Sequence, residues 1–283
     1  MNQTTESSAV RLDEEAIRHY RERGYVIPDY RLPETLLGEL RDACDRIIAA
    51  DPRTRPEHLM NPHLIRWPGA GNPFMAAASH AAILDMVTQL VGPDLILWIT
   101  RILCKPAGDG QEVPWHQDGQ YWPIRPLGTC SVWVALDPVD RGNGCMRFIP
   151  ESHRRDTLYR HRVSSRENLV LDQEVLPEEF DEELAVDVEL QPGQMSFHDV
   201  RMIHGSLANT SDRRRAGLIL RYFPATSHFD RATANTPNAQ GFAVTDQPLI
   251  LMRGVDRSGR NDFDHGHAMW AKRLAGLKIR GSV

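Results

Sequence analysis

What this sequence lacks narrows its roles before any motif is read. It has no basic excess: 33 Lys and Arg stand against 38 Asp and Glu in 283 residues, a formal net charge of −5. A nucleic-acid binder usually shows the opposite balance, and the one dense basic cluster, Arg213-Arg214-Arg215, is too short to reverse it. It has no apolar run of the roughly 18 to 20 residues that a membrane span needs. Its most apolar stretch, "LVGPDLILWIT", is broken by Gly, Pro and Asp. The N-terminal "MNQTTESSAVRLDEE" is polar and acidic and lacks the apolar core of a secretory signal. The four cysteines (Cys44, Cys104, Cys130, Cys145) form no CxxC pair, which excludes zinc-ribbon and thioredoxin-like readings. These absences predict an intracellular, cytoplasmic protein with reduced thiols that binds neither nucleic acid nor membrane.

What is present is ordinary for a globular chain: 41% hydrophobic and 25% charged residues, enough to bury a full core. Residues 1–11 read as a disordered lead-in, and 12–283 as a single domain. Three helices are expected within 12–92, in "LDEEAIRHYRERG", "LPETLLGELRDACDRIIAA" and "HAAILDMVTQLVG". The second carries apolar residues at helical spacing: Leu36, Leu37, Leu40, Cys44, Ile47 and Ile48. From about residue 94 to 225 the character changes to short β-rich runs separated by turn residues: "LILWITRILCK", "CSVWVALDPV", "MRFIP", "AVDVEL", "GQMSFH" and "AGLILRYFPA". Such spacing predicts a sandwich or barrel. Residues 154–184 look like a charged, irregular excursion from that framework, and "NDFDHGHAMWAKRLAGLK" returns to helix in the C-terminal segment 226–283.

The chemistry centres on "VPWHQDGQYW", residues 113–122. Side chains two apart on a strand share a face, so His116 and Asp118 are expected to present an imidazole and a carboxylate to one ion. Two ligands are weak evidence alone. Among twelve histidines, His204 stands out for its surroundings, "MIHGSLANTSDRRRAGLILRYF", which also hold Ser206 and Arg215. Two His and one carboxylate leave coordination positions open, the arrangement of non-haem Fe(II) oxygenases that admit a 2-keto acid and O₂. A keto acid's far carboxylate needs a fixed cation, and the planar fork of an arginine suits it.

"HQDGQYWPIRP", "WVALDPVDRGNGCMRFIPESH" and "HGSLANTSDRRR", with "PLILMRGVD" as a weaker piece, resemble the phytanoyl-CoA dioxygenase (PhyH) family of Fe(II)- and 2-oxoglutarate-dependent oxygenases. The resemblance spans roughly residues 95–225. It implies a mainly β fold with flanking helices, a double-stranded β-helix (jelly roll or cupin-like barrel). It also implies His116, Asp118 and His204 as iron ligands, and Arg215 on the C5 carboxylate of 2-oxoglutarate with Ser206 as its hydroxyl partner. Trp133 falls where the family has an aromatic residue near the cosubstrate. The implied reaction is hydroxylation of a small-molecule substrate with Fe(II), 2-oxoglutarate and O₂, releasing succinate and CO₂. Halogenating relatives have Gly or Ala in place of the carboxylate, so Asp118 argues for oxygenation.

Within "TCSVWVAL" one face is purely apolar (Cys130, Val132, Val134, Leu136) and should meet a core. The other (Thr129, Ser131, Trp133, Ala135) suits a lumen holding a polar cosubstrate. Trp115, Tyr121 and Trp122 are candidates for an apolar wall against the substrate, and Arg221 for a contact to an anionic substrate. His198, six residues before His204, reads as an ordinary histidine or as a support for the ligands, and "NDFDHGH" as a polar loop that nothing elsewhere completes into a second metal site. Two rival functions stand beside the oxygenase: a cupin-like metalloenzyme without 2-oxoglutarate, which leaves Arg215 without a task, and an inactive jelly-roll binding module. Substrate identity is expected to depend on the irregular segments 52–73, 154–184 and 225–265, which carry no readable motif.

Overall fold

In the computed structural model, residues 10–69, 71–233, 243–277 and 279 are described. Residues 1–9 of the expected lead-in, and 234–242 of the C-terminal segment, lie outside them. The helices are α1 (Glu14–Arg23), α2 (Glu34–Ala50), α3 (Pro73–Ala78), α4 (Ala81–Val91) and α5 (His267–Leu274). The strands are β1 (Tyr25–Val26), β2 (Leu59–Met60), β3 (Leu95–Lys105), β4 (Val113–His116), β5 (Ile124–Arg125), β6 (Cys130–Ala135), β7 (Met146–Ile149) and β8 (His161–Val163). They continue as β9 (Gln173–Val175), β10 (Val186–Val188), β11 (Met195–Asp199), β12 (Ile203–Ser206), β13 (Arg215–Pro224), β14 (His228–Phe229) and β15 (Ile250–Arg253). No described helix is long and apolar enough to cross a membrane.

Local chemistry sets the helix ends. Asp13 caps α1 by accepting the Ala16 N–H at 2.7 Å, and Gly24 stops it at φ 83° with its own N–H on the Tyr20 carbonyl. A Cβ at Gly24 would stand 2.4 Å from the Met202 side chain, so both the backbone angle and the space require glycine. α5 starts later than the sequence pattern suggests, because Gly266 at φ 85° breaks the chain just before it.

Two antiparallel sheets form the double-stranded β-helix. The larger has the order β1-β11-β6-β13-β3-β15, with β2 also on β3; the smaller is β10-β7-β12-β4. No strand of one pairs with a strand of the other among the described residues, so they face one another as an open sandwich rather than a closed barrel. The large sheet's outer face is apolar: Cys130, Val132, Val134, Leu136, Leu218, Leu220 and Phe197 pack under Leu37, Leu40 and Ile47 of α2 and Ile83 and Val87 of α4. Burying each such side chain stabilises by about 1.5–3 kcal/mol. That apolar face turns the opposite, mixed face inward. The excursion at 154–184 is less irregular than expected, because β8 and β9 pair antiparallel. Arg162 and Arg166 hold that hairpin to Glu174 and Glu112.

Candidate active site

A cavity of about 820 Å³ lies between the sheets, within the usual range for small-molecule sites. Strands β4 and β12 are neighbours, and their register sets His116 opposite His204 with ring centroids 4.1 Å apart. Each ring is oriented by the carbonyl two residues before it. His116 Nδ1 donates to Pro114 O at 2.9 Å, and His204 Nδ1 donates to Met202 O at 3.0 Å. A carbonyl can only accept, so each Nδ1 carries a hydrogen, and in the neutral imidazole it is then Nε2 that offers a lone pair.

Asp118 is not on a strand, contrary to the spacing argument; it opens a 3₁₀ turn, Asp118–Gln120. The shared face survives because Gln117 stays extended (φ −116°, ψ 128°). The Gln117 side chain turns away, donating to Arg201 O at 2.6 Å and accepting the Tyr159 N–H at 2.7 Å. One potential ligand atom each from His116, Asp118 and His204 then lies within 4.8 Å of the others, and all three residues are buried. Among the described residues no second group of three or more His, Cys, Asp or Glu meets this condition, and the "NDFDHGH" segment yields none.

Across the large sheet, His198 (β11), Ser131 (β6) and Arg221 (β13) stand in one register row. All three converge on Asp118. Arg221 Nη2 lies 3.3 Å from one carboxylate oxygen, while Ser131 Oγ (3.4 Å) and His198 Nε2 (3.7 Å) approach the other. Burial alone would raise the Asp118 pKa, but Arg221 and the neighbouring imidazoles hold it well below the usual carboxylate range. Burial, and then His116, hold His204 well below the ordinary histidine value. The set is therefore a carboxylate beside a neutral imidazole, the protonation states a metal requires.

Arg215 stands at the other end of the inward face of β13. Its neighbours in the triplet turn outward, Arg213 to Asp140 and Arg214 to Asp137. Arg215 is 2% exposed, and among the described residues its hydrogen bonds go only to carbonyls: Gly144 O from Nε (3.0 Å) and Nη2 (2.7 Å), and Leu103 O from Nη1 (3.4 Å). Burial lowers its pKa to about 10, so it stays charged at neutral pH. A buried guanidinium with no carboxylate is costly unless a ligand supplies one. The Trp133 ring lies 5.3 Å from it, and Ser206 lines the same cavity. Among the described residues no hydrogen bond links the Ser206 hydroxyl to Arg215.

The aromatic wall divides. Tyr121 and Trp122 line the cavity, with Trp122 against Trp98 at 4.8 Å. Trp115 does not: as the neighbour of His116 on β4 it points to the opposite face, against Phe180 (5.5 Å) and under Arg147 (5.2 Å). Its candidacy as a substrate contact is therefore corrected by strand alternation. Thr129 precedes β6 and is not part of the lining, whereas Ser131 reaches Asp118. Arg221 lines the cavity but directs Nη2 to Asp118 and lies over Trp122 at 4.7 Å.

Sequence reasoning missed several lining residues, though not His198, whose support of the ligands it offers as an alternative and which shares the inward face of β11 with Ser196. Trp98 and Ile99 both line the cavity because a bulge interrupts the β13–β3 register between Arg221 and Tyr222. Arg101, His58 and residues 168–173 of the excursion reach it through tertiary packing.

The sequence profile of the family described as Phytanoyl-CoA dioxygenase (PhyH) matches residues 20–217. A probable phytanoyl-CoA dioxygenase of Caenorhabditis elegans is 30% identical over 151 residues, which is 50% of this chain and 48% of that protein. The chain thus spans about half the length of such curated relatives. Among solved structures, the apo non-heme monooxygenase ThoJ superposes with a TM-score of 0.70 at 26% identity, covering 92% of this chain and 93% of that one. The non-heme alpha-ketoglutarate-dependent carbocyclase SnoK, from nogalamycin biosynthesis, gives a TM-score of 0.61 at 27% identity, covering 77% and 86%.

Proposed function

This chain belongs to the phytanoyl-CoA dioxygenase family, and from that premise we propose that it is a non-haem Fe(II)- and 2-oxoglutarate-dependent oxygenase. Its reaction is hydroxylation of an unactivated C–H bond in a small soluble metabolite or natural-product intermediate. The observation that carries this reading is the buried Arg215, without a carboxylate partner among the described residues, in the same cavity as the convergent His116, Asp118 and His204. A cupin-like enzyme without a keto acid, or an inert binding module, leaves that cation without a counter-charge.

The residues fit the groups. His116, Asp118 and His204 would hold the iron through two free imidazole lone pairs and a carboxylate, and Arg215 would hold the C5 carboxylate of 2-oxoglutarate with Ser206 and Trp133 alongside. Ferrous iron and 2-oxoglutarate together supply the activation of O₂ that oxidises the C–H bond, with release of succinate and CO₂. The protein's share is orientation and exclusion. Pro114 O and Met202 O fix the imidazole tautomers, while Arg221, Ser131 and His198 keep Asp118 ionised and pointed inward. Trp98, Trp122 and Tyr121 wall off water on the substrate side. Ring closure is the second outcome, favoured by the likeness to a carbocyclase. Residues 12–283 act as one catalytic domain in this reading. Its setting is cytoplasmic, in keeping with four free, buried cysteines.

The test is succinate release. Iron-loaded protein given 2-oxoglutarate, O₂ and a panel of small metabolites should form succinate faster with the matching one. No keto-acid-dependent O₂ uptake under any of these conditions would contradict the assignment.

A further inference from the structure

Four arginines line the cavity, and three have a stated counterpart. Arg166 pairs with Glu112 and Glu174, Arg221 pairs with Asp118, and Arg215 is assigned to the keto acid. Arg101 has none. It lies on β3 in register with Ile219, one strand beyond Arg221, on the inward face. Its Nε and Nη2 donate to the carbonyl oxygen of Glu57 at 3.1 and 2.8 Å, and Nη2 also donates to His58 Nδ1 at 3.3 Å. These partners are neutral. The second nitrogen of His58 meets Gln111 Oε1 at 3.1 Å, so Nε2 carries the ring hydrogen while Nδ1 accepts. The buried carboxylate of Glu57 is turned to Arg55 (3.1 and 3.3 Å) and to the Gln111 N–H (3.0 Å). Among the described residues no carboxylate lies within ion-pair distance of Arg101, and its Nη1 has no protein partner.

A guanidinium fixed by neutral acceptors keeps its full charge for whatever enters. Held in the cavity wall, it recovers its desolvation cost only when an anion meets it. Arginine's fork suits two oxygens of one group. Met60 of β2 is its register partner, and Trp98, Ile99 and Trp122 line the same cavity, the Trp98 and Trp122 rings 4.8 Å apart.

We propose that Arg101 anchors an anionic group of the substrate, a carboxylate or a phosphorus oxyanion, so that the substrate is a small acid whose apolar part lies along Trp98 and Trp122. The proposal rests on the oxygenase reading of this cavity. It adds the charge of the substrate and the residue that selects it.

The experiment uses three probes with one shared apolar body: benzoate, phenylphosphonate and the neutral benzamide. Each is titrated calorimetrically, without O₂, into protein loaded with Fe(II) and saturating 2-oxoglutarate, so that Arg215 is occupied. At least one acid should bind about tenfold or more tighter than benzamide, the effect of one charge-assisted contact; which acid binds better identifies the group. Arg101→Gln should remove that preference and Arg101→Lys should keep part of it. Equal binding of acids and benzamide by the wild-type protein overturns the proposal, and needs no variant to fold. An acid preference that survives in Arg101→Gln overturns it too. The two readings fail separately. Loss of the Fe(II)–2-oxoglutarate absorption band with an Arg101-dependent acid preference retained removes the cofactor reading alone. The band without the preference removes this one.

Discussion

One added methyl group at Gly217 tests how the cosubstrate end of the cavity is built. Gly217 sits mid-strand on β13, paired with Leu103 on one side and Ala135 on the other. Its φ is not positive, so alanine brings no backbone strain of its own. The obstacle is steric. A Cβ there would stand 2.0 Å from Cζ2, 2.4 Å from Cε2 and 2.7 Å from Cη2 of Trp133, where contacting carbons keep about 3.5–4.0 Å. Strands on both flanks stop the backbone retreating, so the indole must move. It is 3% exposed, with Arg215 5.3 Å away, and the space open to it is the cavity where the keto acid is proposed to lie. Overpacking of this kind costs about 1–3 kcal/mol. At roughly 2–4 °C per kcal/mol for a domain of this size, Tm should fall by about 2–12 °C. Thermal melting of the metal-free protein reads the stability, and 2-oxoglutarate titration of the iron-loaded protein reads the site. Gly217→Ala should weaken both, and Trp133→Leu in the same chain should restore Tm by removing the clashing ring atoms. A melting point within about 1 °C of wild type, with unchanged keto-acid affinity, would refute this account of the cavity wall.

Three further outcomes follow from the same geometry. Arg215→Ala should weaken 2-oxoglutarate binding by roughly ten- to a hundredfold, the value of a lost charge-assisted pair, with iron affinity measured separately and little changed; equal losses in both would point to misfolding instead. Trp115→Phe should leave keto-acid affinity unaltered in the same titration, since that ring faces Phe180 outside the cavity; a marked drop would mean the strand face is misassigned. His63, buried with its ring on Thr100 Oγ1 at 2.7 Å, has its pKa lowered from 6.5 to about 3 by burial. The unfolded chain takes up this proton below about pH 6.5 and the folded one does not, so stability is full above that pH. It declines toward pH 3 by up to about 1.4 kcal/mol per pH unit. His63→Gln should flatten the fall of Tm between about pH 6 and pH 4, and parallel profiles would remove the assignment.

The parts of this fold that a periodicity argument can reach were legible. "TCSVWVAL" separates by alternation into a face under the helices and an inward face, and β6 does so, with Trp133 on the cavity and Ser131 turned to Asp118. Alternation also explains why Arg215 turns in while Arg214 turns out to Asp137. The same rule, applied one residue along, would have excluded Trp115. Asp118 shows the limit of the rule: it shares a face with His116 only because Gln117 remains extended before a 3₁₀ turn that no period predicts. Arg101 and His58 meet through a packing of β3 on the 3₁₀ turn Pro56–His58 before β2, a long-range contact that local sequence does not encode. The bulge that sets Trp98 and Ile99 side by side is likewise a property of strand pairing.

The central claim is that three side chains share one ferrous ion beside a keto-acid pocket. Fe(II) and then 2-oxoglutarate are added to the protein without O₂, and visible absorption is recorded. The account predicts a metal-to-ligand charge-transfer band that needs both additions, saturates with iron, and disappears in His116→Ala. No band in the wild-type protein, or one of undiminished intensity in His116→Ala, would contradict it.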